Sequence, residues 1–300
     1  MTAPSAPADR LSRARAASWW STALTLAIAV LALGAALLIP VAFSDPNGVD
    51  PYTARLGAAA LLMAAPSLFL ARLRPARGVL LALLAVAATN TLLVAGPQIL
   101  VDIFGTGVYR APLGSGDAQV FWASLAQVLL TLGIAALAVR VVAQRWRPNV
   151  RWRVSRRAVG SGVAGSLLLI GLAMALPAEL LGRVGLATVA VTRDLAWLAP
   201  ANALQAFAQE VQFRGLLMGS LERTLSPGWA NVAQAAVFGL AHLAISYGGP
   251  EAPFVPITFL VGLGFGWLVQ RTGSIWPATI IHAVADIALQ VAVVPGLYGY

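Results

Sequence analysis

The chain has 300 residues, 59% of them hydrophobic and 10% charged, with a mean hydropathy of +0.80. A soluble domain carries roughly a quarter charged residues, so this composition excludes an ordinary water-soluble fold and points to lipid as the main solvent. The net charge of +9 comes from twenty arginines scattered between apolar runs, a topology signal and not a nucleic-acid-binding face, and the absence of cysteine excludes a disulfide, a thiol nucleophile or a cysteine zinc site.

In chain order, residues 1–17 are rich in Ala, Pro, Ser and Arg and predict a disordered cytoplasmic tail. The apolar run 20–43 is too long for a signal-peptide core and reads as a retained first span. Further apolar runs follow at 56–71, 79–100, 119–143, 159–181, 195–218, 229–246, 254–270 and 275–294. A helix of about 20 residues crosses about 30 Å of hydrocarbon. The prediction is therefore all-α: a polytopic transmembrane helix bundle of about nine spans, eight to nine because the second and eighth are short.

The arginines support that count. With the N-terminus cytoplasmic, sixteen of them, Arg214 included, fall on the cytoplasmic side, and Arg55, Arg110, Arg183 and Arg193 fall on the other. That alternation is the positive-inside pattern. The stretch RWRPNVRWRVSRR divides a four-helix membrane portion, 18–147, from a second membrane portion, 158–296. Gly262 and Gly266 have the spacing that lets helices approach closely, and Pro200 and Pro277 permit bends.

An ionisable residue within a span is a functional hypothesis by default, because burying charge in lipid is costly. The first four spans hold none deep in the membrane, and Glu179 is near enough to a helix end to reach the interface. The remainder form pairs at i,i+4, each on one helix face: Glu210 with Arg214, Phe238 with His242, and His282 with Asp286. At 1.5 Å per residue, Glu210 and His282 lie about 11 to 12 Å from the cytoplasmic helix ends and His242 about 17 to 20 Å, so the three are expected to meet. A dry glutamate is suited to taking a proton from water, neutral imidazoles to orienting that water or an oxyanion, and Asp286 to orienting His282. The set Glu210, His242 and His282 is also a plausible zinc donor set, and the residues leave that choice open. Taken singly, the ion pair, the histidines and Phe238 all have ordinary packing explanations; their joint clustering favours a shared site.

The runs AQEVQFRGLL, FGLAH and HAVAD resemble, in order and on three separate predicted spans, the EExxxR, FxxxH and HxxxN/D motifs of the CPBP (CAAX protease and bacteriocin-processing, Abi) family of intramembrane proteases. The resemblance covers about 195–290. It implies a multi-helix membrane fold with a cytosol-facing cavity and cleavage of protein or peptide substrates near the membrane, with the first motif glutamate activating water. Here that position is Gln209, which cannot act as a base, and Glu210 alone is acidic. Glu210 then serves as base, or the chain is a catalytically inactive scaffold or regulator, or Gln209 was introduced to trap a complex or stabilise the protein. The expected enzyme uses Glu210, His242, His282, Asp286, Arg214 and Gln209, with lipid bilayer and a peptide substrate as partners, no nucleic acid, and a multi-pass location in a bacterial plasma membrane. A proton-relaying transporter is the third class, disfavoured by the lack of an internal repeat.

Overall fold

A computed structural model describes residues 77–104, 117–141, 149–175, 195–242 and 254–288, and every regular element among them is helical. The predicted tail, the first two predicted spans and residues 289–300 lie outside the described residues. Among the described residues the longer α-helices are α1 Arg77–Phe104, α2 Asp117–Val141, α3 Arg156–Ala175, α4 Leu195–Glu210, α5 Pro227–Ala241, α6 Phe254–Thr272 and α7 Trp276–Ala288. Helix α4 runs on through a π-helical segment, Val211–Met218, and closes with the α-turn Gly219–Leu221.

Local chemistry sets the boundaries near the site. Ser226 is extended (ψ 154°) before Pro227, whose missing N–H costs nothing at a helix start. Between α6 and α7, Gly273 takes φ +65°, the left-handed conformation that glycine adopts freely at a helix end. Ser274 Oγ then accepts the Trp276 amide at 3.3 Å, so a tight turn separates α6 from α7.

Helix α4 and its π-helical continuation form the centre of the bundle, touching α1, α2, α5, α6 and α7. Gly162 and Gly165 of α3 face Ile280 and Ile281 of α7, where an added Cβ would fall within 3 Å of those side chains. Gly262 of α6 faces Phe238 and the backbone of Ala235 on α5, and Gly266 faces Asn231 and Gln234. The predicted close approach through Gly262 and Gly266 is therefore observed, with the intervening Gly264 pointing to open space.

An apolar core includes several buried polar side chains, while large apolar side chains face outward. Gln127, Thr131, Gln212, Arg214, Asn231 and Gln234 are buried, while Leu129, Leu137, Leu167, Leu168 and Leu260 are each at least 60% exposed. Among the described residues no helix is long and apolar enough to cross a membrane. The count of nine spans thus finds no described helix to support it. At 1.5 Å per residue α5 and α7 extend about 20 Å, and Glu210 and Arg214 interrupt the apolar run of the helix between them and α2.

Two sequence expectations change. Arg214, grouped by sequence with the cytoplasmic arginines, is fully buried, because Glu210 neutralises it one turn earlier. The arginine-rich divider is also a packing element: Val150 is buried against Gly215, and the backbone of Asn149 lies against Gly219. A Cβ at either glycine would collide, at 2.7 Å with Val150 Cγ1 and 2.9 Å with Asn149 O.

Candidate active site

Glu210 ends the α-helical part of the motif helix, where the backbone passes into the π-helical segment. Its side chain is fully buried. Oε1 accepts Arg214 Nη1 at 2.9 Å and His282 Nδ1 at 2.8 Å. Two charge-assisted hydrogen bonds on one oxygen hold the carboxylate in a single orientation. Oε2 is buried and accepts no hydrogen bond from the described residues. An unpaired buried acceptor costs about 1–3 kcal/mol, which makes Oε2 the open coordination point of the cluster.

Arg214 is held from several sides. Its Nη2 donates to the Gly262 carbonyl at 3.3 Å, and its guanidinium carbon sits 4.3 Å from the Phe238 ring centre and 5.2 Å from that of Phe265. Gln234 Nε2 donates to the same carbonyl at 2.9 Å. A cation over two aromatic faces gains electrostatic attraction that survives burial. From the opposite side, Gln212 Nε2 donates to Thr131 Oγ1 at 2.8 Å, pinning the π-helical segment to α2.

Phe238 is the hub of the aromatic groups. Its ring is edge-on to His242 at 4.6 Å, to Phe213 at 5.1 Å and to His282 at 5.8 Å between centres. His242 caps the C-terminal end of α5, with Nδ1 2.7 Å from the Phe238 carbonyl. A carbonyl only accepts, so Nδ1 carries the proton and, in the neutral ring, Nε2 is the acceptor. His282 is buried on α7, with Nε2 3.6 Å from Asp286 Oδ2. That is an ion-pair separation and too long for a direct hydrogen bond.

The structure thus brings Glu210, Arg214, His282 and Asp286 into one chain of contacts, with His242 joined through Phe238. Gln209 is buried beside them, 9% exposed, and makes no side-chain hydrogen bond to the described residues. The sequence left a zinc set of Glu210, His242 and His282 open; among the described residues no group of three or more His, Asp or Glu lies close enough together to hold a metal ion. Glu210 Oε1 already accepts two donors and His242 Nδ1 faces a carbonyl.

Phe265, Gln234, Gln212 and Thr131 were not singled out by sequence. Phe265 lies between the two glycines at the α5 contact, which is the only sequence cue to its place. The two glutamines and the threonine looked like isolated polar residues in apolar runs.

A buried Glu–Arg–His cluster, carried on three helices of an all-helical bundle, defines the class as a helical protein with an internal polar site. Residues 191–288, about a third of the chain, match the family model described as type II CAAX prenyl endopeptidase Rce1-like. The matched segment is thus similar to the Rce1-like domain of the CPBP family, and it contains all three motifs and every candidate site residue. No curated protein and no solved structure matches the chain.

Proposed function

We propose that this chain is an intramembrane endopeptidase of CPBP type that hydrolyses peptide bonds of membrane-associated proteins or peptides. The observation that carries this reading is the buried Glu210 carboxylate, with one oxygen fixed by Arg214 and His282 and the other unpartnered. The family match at 191–288 supports a peptidase class.

Lipid as the surrounding solvent is supported by the composition and by the leucines that face outward on α2, α3 and α6. Large apolar side chains left exposed on several helices are the kind of surface that a membrane or a partner covers. The nine-span arrangement with a cytoplasmic N-terminus belongs to this reading, as does a plasma-membrane location in a bacterium.

In the proposed reaction a water molecule adds its oxygen to the scissile carbonyl carbon and gives a proton to Glu210 Oε2. His242 Nε2 accepts the second water hydrogen as a hydrogen bond and orients the attack. When the C–N bond breaks, the proton on Glu210 passes to the leaving amine, restoring the carboxylate. Arg214 and His282 hold Oε1 throughout, and Asp286 sets the ring of His282. Electrostatic preorganisation of this kind acts most strongly in a dry site.

A second reading is favoured by Gln209 together with the double occupation of Glu210 Oε1. In it the cluster is structural and the chain is a catalytically inactive scaffold or regulator. The reconstituted full chain is to be incubated with a fluorogenic peptide bearing a prenylated C-terminal cysteine motif, and with an unmodified membrane-anchored peptide. Cleavage of either, lost in Glu210→Gln, supports the enzyme. Binding without cleavage of either peptide supports the scaffold.

A further inference from the structure

Five hydrogen bonds gather three segments at one end of the bundle. Arg151 Nη2 donates to Glu222 Oε2 at 2.7 Å, and Gln270 Nε2 donates to Glu222 Oε1 at 2.9 Å and to the Pro227 carbonyl at 2.8 Å. The Ile275 amide donates to the Arg151 carbonyl at 3.2 Å, and Trp276 Nε1 to the Trp152 carbonyl at 3.1 Å. The loop 149–157 is thereby fixed against the turns at 222–227 and 270–276.

That end is cationic and aromatic. Arg153, Arg156 and Arg157 are exposed, and Trp152 and Trp229 are 47% and 68% exposed. Rings of Trp152, Phe207 and Trp276 follow one another at 6.0 and 5.6 Å. Tryptophan beside arginine is the side-chain set of a bilayer interface. Glu222, the carboxylate at this end, is already paired with Arg151.

Two features of the loop look for an anion. Arg151, although paired with Glu222, keeps a buried Nη1 with no acceptor among the described residues. Arg156 and Arg157 fill the first turn of α3, which has no acidic residue. Cations there oppose the helix dipole and, with Arg153, repel one another.

We propose that loop 149–157 binds the phosphate of an anionic phospholipid headgroup, and that this lipid steadies the helix carrying Glu210 and Arg214. The mechanical link is the packing of Val150 on Gly215 and of Asn149 on Gly219. The proposal is independent of peptidase activity, because its readouts are lipid binding and unfolding.

The test is titration of phosphatidylglycerol, and separately of phosphatidylcholine, into the full chain in neutral detergent, following binding and the thermal midpoint. Phosphatidylglycerol is expected to bind and raise the midpoint, and phosphatidylcholine to do neither. The triple variant Arg153→Gln, Arg156→Gln, Arg157→Gln is expected to keep the parent's helicity, with a lipid-free midpoint at or slightly above the parent's because the repulsion is relieved. Its phosphatidylglycerol binding should fall roughly fivefold per arginine, about a hundredfold in all. Arg140→Gln, an exposed cation outside the loop, should leave binding at the parental level. Equal response to the two lipids, parental binding in the triple variant, or an equal loss per charge in Arg140→Gln would overturn the proposal. So would inorganic phosphate reproducing the shift, which would assign the loop to a free anion.

Discussion

Glu210 and His282, 72 residues apart in sequence, meet at 2.8 Å between Oε1 and Nδ1 with both side chains buried. This contact joins the motif helix to α7, and Arg214 closes it from the other side at 2.9 Å. Its energetics lead to the first prediction.

Removing one partner of a buried ion pair strands the other charge, at a cost of about 3–5 kcal/mol. Glu210→Gln and Arg214→Met should each lower unfolding stability in detergent by about that amount. Replacing both, as Glu210→Leu with Arg214→Met, should recover most of the loss, since apolar replacement of a whole pair is often neutral. The double variant should have stability without peptidase activity. Activity in it would reduce the pair to a structural element.

Phe238 supports two histidines and one arginine, so its aromatic face matters beyond its volume. Phe238→Leu keeps most of the packing and loses the cation–π contact, for a predicted cost of about 1–2 kcal/mol. Phe238→Ala adds a cavity and should cost about 3–5 kcal/mol. Chemical unfolding monitored by helicity separates the two.

The glycines give a positional control. Gly262→Ala drives a methyl to 3.2 Å from the Ala235 backbone, and Gly219→Ala to 2.9 Å from the Asn149 carbonyl. Each should destabilise by about 1–3 kcal/mol. Gly264→Ala meets nothing within 4 Å and should stabilise α6 by up to about 1 kcal/mol through helix propensity. Thermal midpoints of the three variants should fall in that order of sign.

Asp286 Oδ2 lies 3.6 Å from His282 Nε2 and is partly exposed, and in the proposed reaction it acts through that ring. Asp286→Asn keeps the shape and a polar atom, and should hold activity within about tenfold. Asp286→Leu should lose about 10- to 100-fold, the usual cost of removing a residue that orients a working side chain. A matched fall in both variants would show that the charge matters and the orientation does not.

Much of this site was legible because helical periodicity makes i,i+4 pairs visible. The spacing alone puts Glu210/Arg214, Phe238/His242 and His282/Asp286 each on one helix face, and the helix limits near 195, 254 and 272 agree with the apolar runs. The π-helical segment Val211–Met218 was not legible, since no residue in VQFRGLLM encodes a wider turn; tertiary contacts, such as Gln212 with Thr131, select it. The docking of loop 149–155 was hidden for a related reason. Alternating arginines read as a solvated linker, and only the bare surfaces of Gly215 and Gly219 create the groove that Asn149 and Val150 fill. Arg214 was read as both a span residue and a cytoplasmic charge, because charge counting ignores ion pairing.

Gln209 stands where the family leads one to expect the catalytic carboxylate, so the central claim is that Glu210 supplies the base in its place. The most direct measurement is proteolysis of a membrane-anchored peptide in reconstituted bilayers by the parent chain, Gln209→Glu, Glu210→Gln and His242→Ala. The account predicts cleavage by the parent and its loss in Glu210→Gln and His242→Ala, with Glu210→Gln still inserted and helical. Parent activity that survives both substitutions, or activity that appears only in Gln209→Glu, would contradict it.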